Sequence, residues 1–398
     1  MRAVPQTWSV NLQLLKAIPY CNCILTNSIG NVESENGNIM KFIHIADVHL
    51  GACPDLGFPW SKTREKEIWE SFSKIIEKIK SEKTDLLLIA GDLFHGQPLV
   101  RELKELNYLF GQIPNTKVVL IAGNHDYLKA DSAYKKISWE PNVIGLWSDS
   151  CQACYLKSCN TYVYGFSYTT RELREMRYNQ AFPGGSQNFA QDHPDANHIL
   201  LAHGGDEKHV PIQLSSLAEA DFDYIALGHI HQPQILIPNK MAYAGSLEPL
   251  SRTHLGMRGY IEGEIVNGIT KIQFVPFAKR QYVEMVVPVT PSSTVGSIQD
   301  EITTFIEENG RQHIYCIHLE GLRDAELILE EEAFVGLGNI VEVTDETKPD
   351  YDFNELRKKY AGTLVATYIE SFLVHEELTE VEQKALYYGV GALLHAGE

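Results

Sequence analysis

The sequence predicts an α/β protein in which sheets are covered by helices. Short apolar runs of strand length alternate with stretches of helical period, and most of the runs stop at a polar residue of metal-ligand type. The runs are Phe42 to Ala46, Leu86 to Ala90, Val118 to Ala122, Tyr162 to Phe166, Ile199 to Ala202 and Tyr224 to Leu227. Between the first two, Ile68, Phe72, Ile75, Ile76 and Ile79 recur at helical spacing and predict a helix over Arg64 to Lys80. Further on, Gly259 to Val266 and Ile269 to Phe277 flank Asn267-Gly268, a two-residue hairpin signal.

A second unit starts after Lys279-Arg280. Its order is strand Tyr282 to Val287, helix Val295 to Glu308, strand Ile314 to Leu319, an acidic helix near Asp324 to Phe334, and strand Ile340 to Val343, which makes a small α/β cap. Amphipathic helices follow over Thr363 to His375 and Glu380 to His395. The expected divisions are a leader over 1–39, a main domain over 40–278, the cap over 279–350 and a helical tail over 351–398. Met40 abuts the first strand, and the preceding residues lack a clean apolar core and cleavage site. They therefore read as an upstream leader or a misassigned start rather than a signal peptide.

At 398 residues the chain is long enough for two cores. Seven cysteines spread thinly over it read as reduced thiols of a cytoplasmic protein, and Cys151, Cys154 and Cys159 lack a fourth partner for a zinc knuckle. No run of 18 apolar residues is present, which argues against a membrane span. The formal charge of -18 is awkward for a protein gripping nucleic acid unaided, because phosphate contacts come from clustered Lys and Arg.

Chemistry concentrates in four short motifs: Asp47-Val48-His49, Gly91-Asp92, Gly123-Asn124-His125-Asp126 and Gly228-His229-Ile230-His231. His203 closes a further strand. At strand ends such residues can be aimed into one crevice beyond a sheet's carboxyl edge. Carboxylate and amide oxygens beside imidazoles suit a pair of divalent ions, manganese or iron before a structural zinc. Paired ions of this kind serve phosphate-ester hydrolysis.

The five-part pattern resembles that of the calcineurin-like metallophosphoesterases, and within them the SbcD-type DNA repair nucleases. The longer phrases Phe42-Ile43-His44-Ile45-Ala46-Asp47-Val48-His49-Leu50-Gly51, Gly91-Asp92-Leu93-Phe94, Tyr224 to Pro233 and Tyr243-Ala244-Gly245-Ser246-Leu247-Glu248-Pro249-Leu250 carry the likeness. Lys384-Ala385-Leu386-Tyr387-Tyr388-Gly389 is similar to the tail of the YhaO branch of that family. The resemblance implies a four-layer αββα sandwich with a small α/β cap and C-terminal helices. It also implies two divalent metals, with Mn2+ expected and Fe2+ as the alternative. Asp47, His49 and His231 would hold one metal, Asn124, His203 and His229 the other, and Asp92 would bridge them. His125 would face the scissile phosphate, and Asp126 would orient it. DNA and an SbcC-like coiled-coil ATPase are the implied partners, with a homodimer allowed.

Arg252 and Arg258 follow the last motif and are candidate phosphate contacts, whereas Arg171, Arg174 and Arg177 recur at helical spacing and interleave with Glu172 and Glu175, which reads as a solvated, salt-bridged face before a track for a DNA backbone. His193, His209 and His254 read as loop residues, and His44 and His198 as core or paired histidines. The function expected is a metal-dependent DNA exonuclease with endonuclease capacity. A phosphatase or cyclic-nucleotide phosphodiesterase is the rival on the same site, and a metal-dead regulatory subunit of an ATPase complex is the rival of another class.

Overall fold

The computed structural model of the 398-residue chain describes residues 39–178, 192–373 and 378–395. The chain divides into two compact units, Met1–Gly37 and Asn38–Glu398. The first lies outside the described residues, as do Pro183-Gly184-Gly185-Ser186, whose composition reads as a surface loop, and Val374 and His375 at the end of the expected first tail helix.

Along the second unit the elements run β1 (Ile39–Ile45), α1 (Ser61–Glu82), β2 (Leu86–Ala90), α2 (Val100–Gly111), β3 (Lys117–Ile121), β4 (Val143–Gly145), β5 (Gln152–Leu156), β6 (Thr161–Gly165), β7 (Asn197–His203), α3 (Leu214–Glu219), β8 (Tyr224–Gly228), β9 (Gln234–Ile237), β10 (Met241–Tyr243), β11 (Gly259–Val266) and β12 (Ile269–Pro276). They form two sheets. The first has the order β12-β11-β1-β2-β3-β4 and the second β5-β6-β7-β8-β10-β9. Strands β1 to β4 run parallel, as do β6, β7, β8 and β10, so each sheet presents a row of carboxyl ends at one edge. The register pairs Ile45 with Ile89, Ala90 with Ile121 and His203 with Gly228, which brings the motif loops level.

Three cores hold this sandwich. Ile68, Phe72, Ile75, Ile76 and Ile79 of α1, with Leu103, Leu106 and Phe110 of α2, pack on the outer face of the first sheet. Full burial of each such side chain stabilises by about 1.5–3 kcal/mol, an upper bound. Between the sheets lie Phe42, Leu86, Leu88, Val119, Val163, Ile199, Leu201 and Ile261. The outer face of the second sheet is covered by Tyr164, Phe166, Tyr168, Tyr178, Leu217 and Phe222. The four layers are therefore present, but the outermost is thin: among the described residues it is one six-residue helix, α3, with aromatic loop residues. The β11–β12 hairpin turns as the sequence indicates, with Asn267 and Gly268 at φ 52° and 76°, the left-handed pair that a type I′ turn requires.

Beyond β12, β13 (Tyr282–Val289), α4 (Val295–Asn309), β14 (Ile314–Arg323), α5 (Glu332–Val335) and β15 (Ile340–Asp345) build a separate parallel sheet. The core of that sheet includes Ile298, Ile302 and Ile306 of α4. The acidic helix expected near Asp324 to Phe334 is a correction, because only Glu332–Val335 is helical. Leu327 and Leu329 turn toward the core while Ile328 is 74% exposed, so the local period is two and not 3.6. In the tail, α6 (Phe353–Lys359), α7 (Leu364–Phe372) and α8 (Glu380–His395) pack on one another through Val365, Ile369, Leu386 and Val390. That leaves Tyr388, Val381 and Leu364 exposed.

The cap joins the sandwich through an ionic network. Glu67 of α1 accepts two hydrogen bonds from Arg280, at 2.7 Å each, and one from Arg64 at 3.0 Å. Glu248 accepts from Ser71 Oγ and from the backbone of Lys279. Asp55 receives the hydroxyl of Tyr282 and the indole N–H of Trp60. Burial pushes the Glu67 carboxyl up, but its arginine partners outweigh that and hold it at about 2. A folded-state value below the ordinary 4.5 means that the stabilisation is fully present above that pH and is lost as pH falls through about 2. Glu67→Gln is expected to lower unfolding free energy at neutral pH by about 3–5 kcal/mol, the scale for breaking a buried ion pair. Denaturant melts of both proteins should converge as pH drops through that window. A gap that stays constant down to the acid limit would show that the carboxylate charge is not what Arg64 and Arg280 need.

Candidate metal centre

The motif residues follow the carboxyl ends of β1, β2, β3, β7 and β8, and they meet in one crevice at the seam of the two sheets. The turns that deliver them are strained. Asp47, His49, Asp92 and His229 take φ of 50°, 52°, 48° and 97°, a region that non-glycine residues rarely occupy and that clusters at functional sites. The preceding glycines are needed for close approach. A Cβ on Gly91, itself at φ 85°, would lie 2.5 Å from His203 Nδ1, and one on Gly123 would overlap the Asp92 carboxylate.

One set of donors is Asp47, His49 and His231, whose ligand atoms lie within 4.8 Å of one another; Asp47, Asp92 and His203 form another. The His49 and His231 Nε2 atoms face each other at 3.1 Å. Asn124 Oδ1 lies 2.9 Å from His203 Nε2 and 3.1 Å from His229 Nδ1. Asp92 stands between the groups: its Oδ2 is 3.5 Å from His203 Nε2 and 3.9 Å from His49 Nε2, and its Oδ1 accepts the His125 backbone N–H. Asp47 accepts the His229 N–H and lies 3.9 Å from His231 Nε2. The structure thus brings together all seven residues expected as ligands.

Tautomers follow from the outer partners. His203 Nδ1 is 2.8 Å from the Ala90 carbonyl and must donate to it, which leaves Nε2 as the nitrogen facing the crevice. Burial disfavours a charged His203, but Asp92 outweighs that and pushes its pKa up to about 9. Burial lowers His231 to about 3 and His229 to about 4, and holds His49 well below its usual range. Asp47 is raised by burial, with Asp92 adding to the shift. Asp92 is held below its ordinary value, because His203 and His49 outweigh the burial that would raise it. Among the described residues, the ion pairs of Asp47 and Asp92 are all to histidines, with no Lys or Arg. Two buried carboxylates ringed by imidazoles, of which His49, His229 and His231 lean neutral, fit divalent cations, which would supply the missing positive charge.

Three expectations change. Asp126 does not touch the His125 ring. Its carboxylate accepts the backbone N–H groups of Gly123, Leu93 and Phe94 and the Tyr134 hydroxyl, and so ties the loop after β3 to the loop after β2. His125 Nδ1 instead donates to the His95 carbonyl at 3.1 Å. Arg258 is 1% exposed and donates to the carbonyls of Leu255 and Met257, so it cannot meet phosphate at the surface. Arg252 pairs with Glu342 of the cap at 2.9 Å. The Arg171 to Arg177 stretch is not helical. Arg174 and Arg177 pair with Glu172 and Glu175, as the salt-bridged expectation has it. His44 and His198 are paired as expected, with the hydroxyls of Tyr224 and Tyr164. All five described cysteines are free.

Residues outside the motifs complete the rim, of which only His209 was expected near it, by its closeness to His203 in sequence. His95 is exposed, with Nδ1 3.3 Å from His49 Nδ1, and His49, His95 and His125 form a ligand-capable group. Asp206, with His209, contacts His229, while His254 meets the His231 ring edge-on at 4.8 Å. The only local signal was position: His95 lies three residues beyond Asp92 and Asp206 three beyond His203, each in the turn that follows a ligand.

Comparison with known proteins agrees with this geometry. The calcineurin-like phosphoesterase family matches residues 40–233. The chain is 29% identical over 256 residues to the uncharacterized metallophosphoesterase YhaO of Bacillus subtilis, covering 59% of this chain and 60% of that protein. It is 31% identical over 230 residues to the DNA double-strand break repair protein Mre11 of Methanocaldococcus jannaschii, covering 54% and 58%, and 27% identical over 259 residues to that of Methanococcus maripaludis, covering 58% and 66%. The chain therefore spans less than two thirds of the length of each of these relatives. Two similar solved structures, a protein of Thermus thermophilus and a dimetal phosphatase of Danio rerio, share 8% and 12% identity at a TM-score of 0.37. They cover 59% and 61% of this chain and 99% and 100% of their own. No helix among the described residues is long and apolar enough to cross a membrane. With its motif residues gathered at the strand ends of the matched stretch, this chain carries a calcineurin-like metallophosphoesterase domain over residues 40–233.

Proposed function

We propose that this protein is a metal-dependent DNA nuclease, an exonuclease with endonuclease capacity acting in break repair or recombination. Residues 40–278 would be its hydrolytic domain, 279–350 its cap and 351–398 its partner dock. The observation that carries this proposal is the convergence of Asp47, His49, Asp92, Asn124, His203, His229 and His231 into one crevice. DNA as substrate is supported by the two archaeal relatives, which are DNA double-strand break repair proteins.

Asp47, His49 and His231 would hold one ion and Asn124, His203 and His229 the other, with Asp92 reaching both. Mn2+ is the expected ion and Fe2+ the alternative. When bound, such a pair draws charge from the phosphate and makes a water nucleophilic near neutral pH. The chain's own contribution is orientation and proton supply. His125, half-buried at the rim with Nδ1 donating to the His95 carbonyl, would aim Nε2 at the leaving oxygen and pass it a proton from the doubly protonated ring, ending as the neutral Nδ1–H imidazole. Asp126 keeps the His125 loop in register with the Asp92 loop.

A small phosphodiester or monoester is the second substrate class. It is favoured by the charge of -18, by the pairing of Arg174, Arg177 and Arg252 with carboxylates and by the burial of Arg258. Purified full chain with Mn2+ should be tested on duplex DNA, single-stranded DNA and bis-p-nitrophenyl phosphate, with and without chelator. Chelator-sensitive DNA cleavage is expected, and turnover of the small diester alone would move the assignment to the second class.

Asp92→Asn is expected to abolish hydrolysis while leaving the melting temperature within a few degrees; wild-type turnover at saturating Mn2+ would remove the shared-ligand role. His125→Ala is expected to retain metal but to lose cleavage by about two to four orders of magnitude, the scale of a positioned acid. Loss of both ions on metal analysis would reclassify His125 as a ligand. Deleting residues 363–398 should spare the small diester and abolish co-purification with a coiled-coil ATPase of SbcC type. Retained binding would place the dock elsewhere.

A further inference from the structure

The structure assigns to Asp206, an exposed carboxylate outside every motif, the role of a positioning residue that fixes the tautomer of His229. The inference rests on His229 being a metal ligand and names what sets its inward-facing nitrogen.

The two ring nitrogens of His229 have separate partners. Nδ1 faces Asn124 Oδ1 at 3.1 Å, and Nε2 lies 2.7 Å from Asp206 Oδ2. A carboxylate can only accept, so Nε2 carries a proton, and in the neutral ring Nδ1 is then the nitrogen whose lone pair can meet a cation. His203 is held by the same logic from another oxygen, its Nδ1 donating to the Ala90 carbonyl. The acceptor for His229 is instead a side chain on a surface turn.

That turn is built to hold the carboxylate still. Asp206 Oδ1 accepts the backbone N–H groups of Lys208 and His209 at 2.7 and 2.9 Å, and His209 Nδ1 lies 2.9 Å from both carboxylate oxygens. The His209 carbonyl accepts from Gly205 N, the Tyr243 hydroxyl donates to the Gly204 carbonyl, and Leu173 brackets the turn by bonding Lys208 and Val210. Gly204 adopts φ 143°, and a Cβ there would lie 2.5 Å from the His209 carbonyl, so the turn closes only around glycine. The His209 ring lies 4.6 Å from that of His229 and limits its rotation. Outer partners of ligand histidines typically change metal affinity by 10–100-fold.

The test is Mn2+ titration calorimetry on chelator-stripped full chain, paired with 15N NMR of the His229 ring in the metal-free protein. Asp206→Ala is expected to weaken one Mn2+ equivalent by about 10–100-fold, leave the other unchanged, and convert the His229 ring from the Nε2-protonated tautomer to a mixture. Asp206→Asn, whose amide oxygen still accepts, should keep the tautomer and lose less affinity. Unchanged Mn2+ affinity or an unchanged tautomer in Asp206→Ala would overturn the role. So would an Asn variant indistinguishable from Ala, or loss of a whole additional Mn2+ equivalent, which would make Asp206, His209 and His229 a cation site of their own. His229→Ala separates the two layers: if it binds both ions as the wild type does, the ligand assignment fails, whereas silence of Asp206→Ala alone overturns only the positioning role.

Discussion

Two buried carboxylates without a permanent cation dominate this molecule. Asp47 and Asp92 are 0% and 1% exposed, each on a left-handed turn at a strand end, and their charged neighbours are histidines. Placing unpaired carboxylates in such a position costs several kcal/mol each, so the surroundings have to compensate. In the protein alone the compensation comes from a raised His203 and from backbone N–H donors of His229 and His125. The parallel strands, the glycines of the motifs and the tie from Asp126 all serve to hold those two groups at the seam between the sheets.

Much of this was legible in the sequence because it depends on local rules. The strand over Leu86 to Ala90 and the hairpin around Asn267-Gly268 are each fixed by composition and period over a few residues. The candidate metal-binding residues were legible in part for the same reason, since Gly-Asp or Gly-Asn-His-Asp directly after an apolar run implies a side chain at a sheet's carboxyl edge, while their division between two ions came only from the resemblance to a known family. What escaped depends on contacts across long separations. Asp126 adjoins His125 in sequence, yet its carboxylate is taken by Leu93, Phe94 and Tyr134, which no local pattern can announce. Arg258 looks like a surface arginine until β11 carries it into a pocket of backbone carbonyls. The segment from Asp324 failed for the opposite reason: its charge suggested a helix, while the in-out-in order of Leu327, Ile328 and Leu329 was a strand-like signal given too little weight.

The joint between sandwich and cap obeys different physics from the cores on either side. Beside a small apolar cluster of Trp60, Tyr282 and Ile314, its contacts are charged or hydrogen-bonded, through Glu67, Arg280, Glu248, Lys279, Asp55, Tyr282, Arg252 and Glu342. Such joints fix geometry by direction more than by area, because a bidentate guanidinium accepts one orientation where apolar surfaces accept many. Arg252, which a nucleic-acid reading would want for phosphate, is thereby paired within the chain.

The positive φ of Asp47, His49, Asp92 and His229 also bears on how this fold tolerates change. Each position would be relaxed by glycine, and two of them would shed a buried charge as well. Selection for stability alone would therefore erode the crevice first, while the apolar layers beneath it stayed intact. A descendant that lost its chemistry would keep its shape, and could melt at a higher temperature than its parent. Heat resistance in this chain is for that reason a poor witness to an intact site.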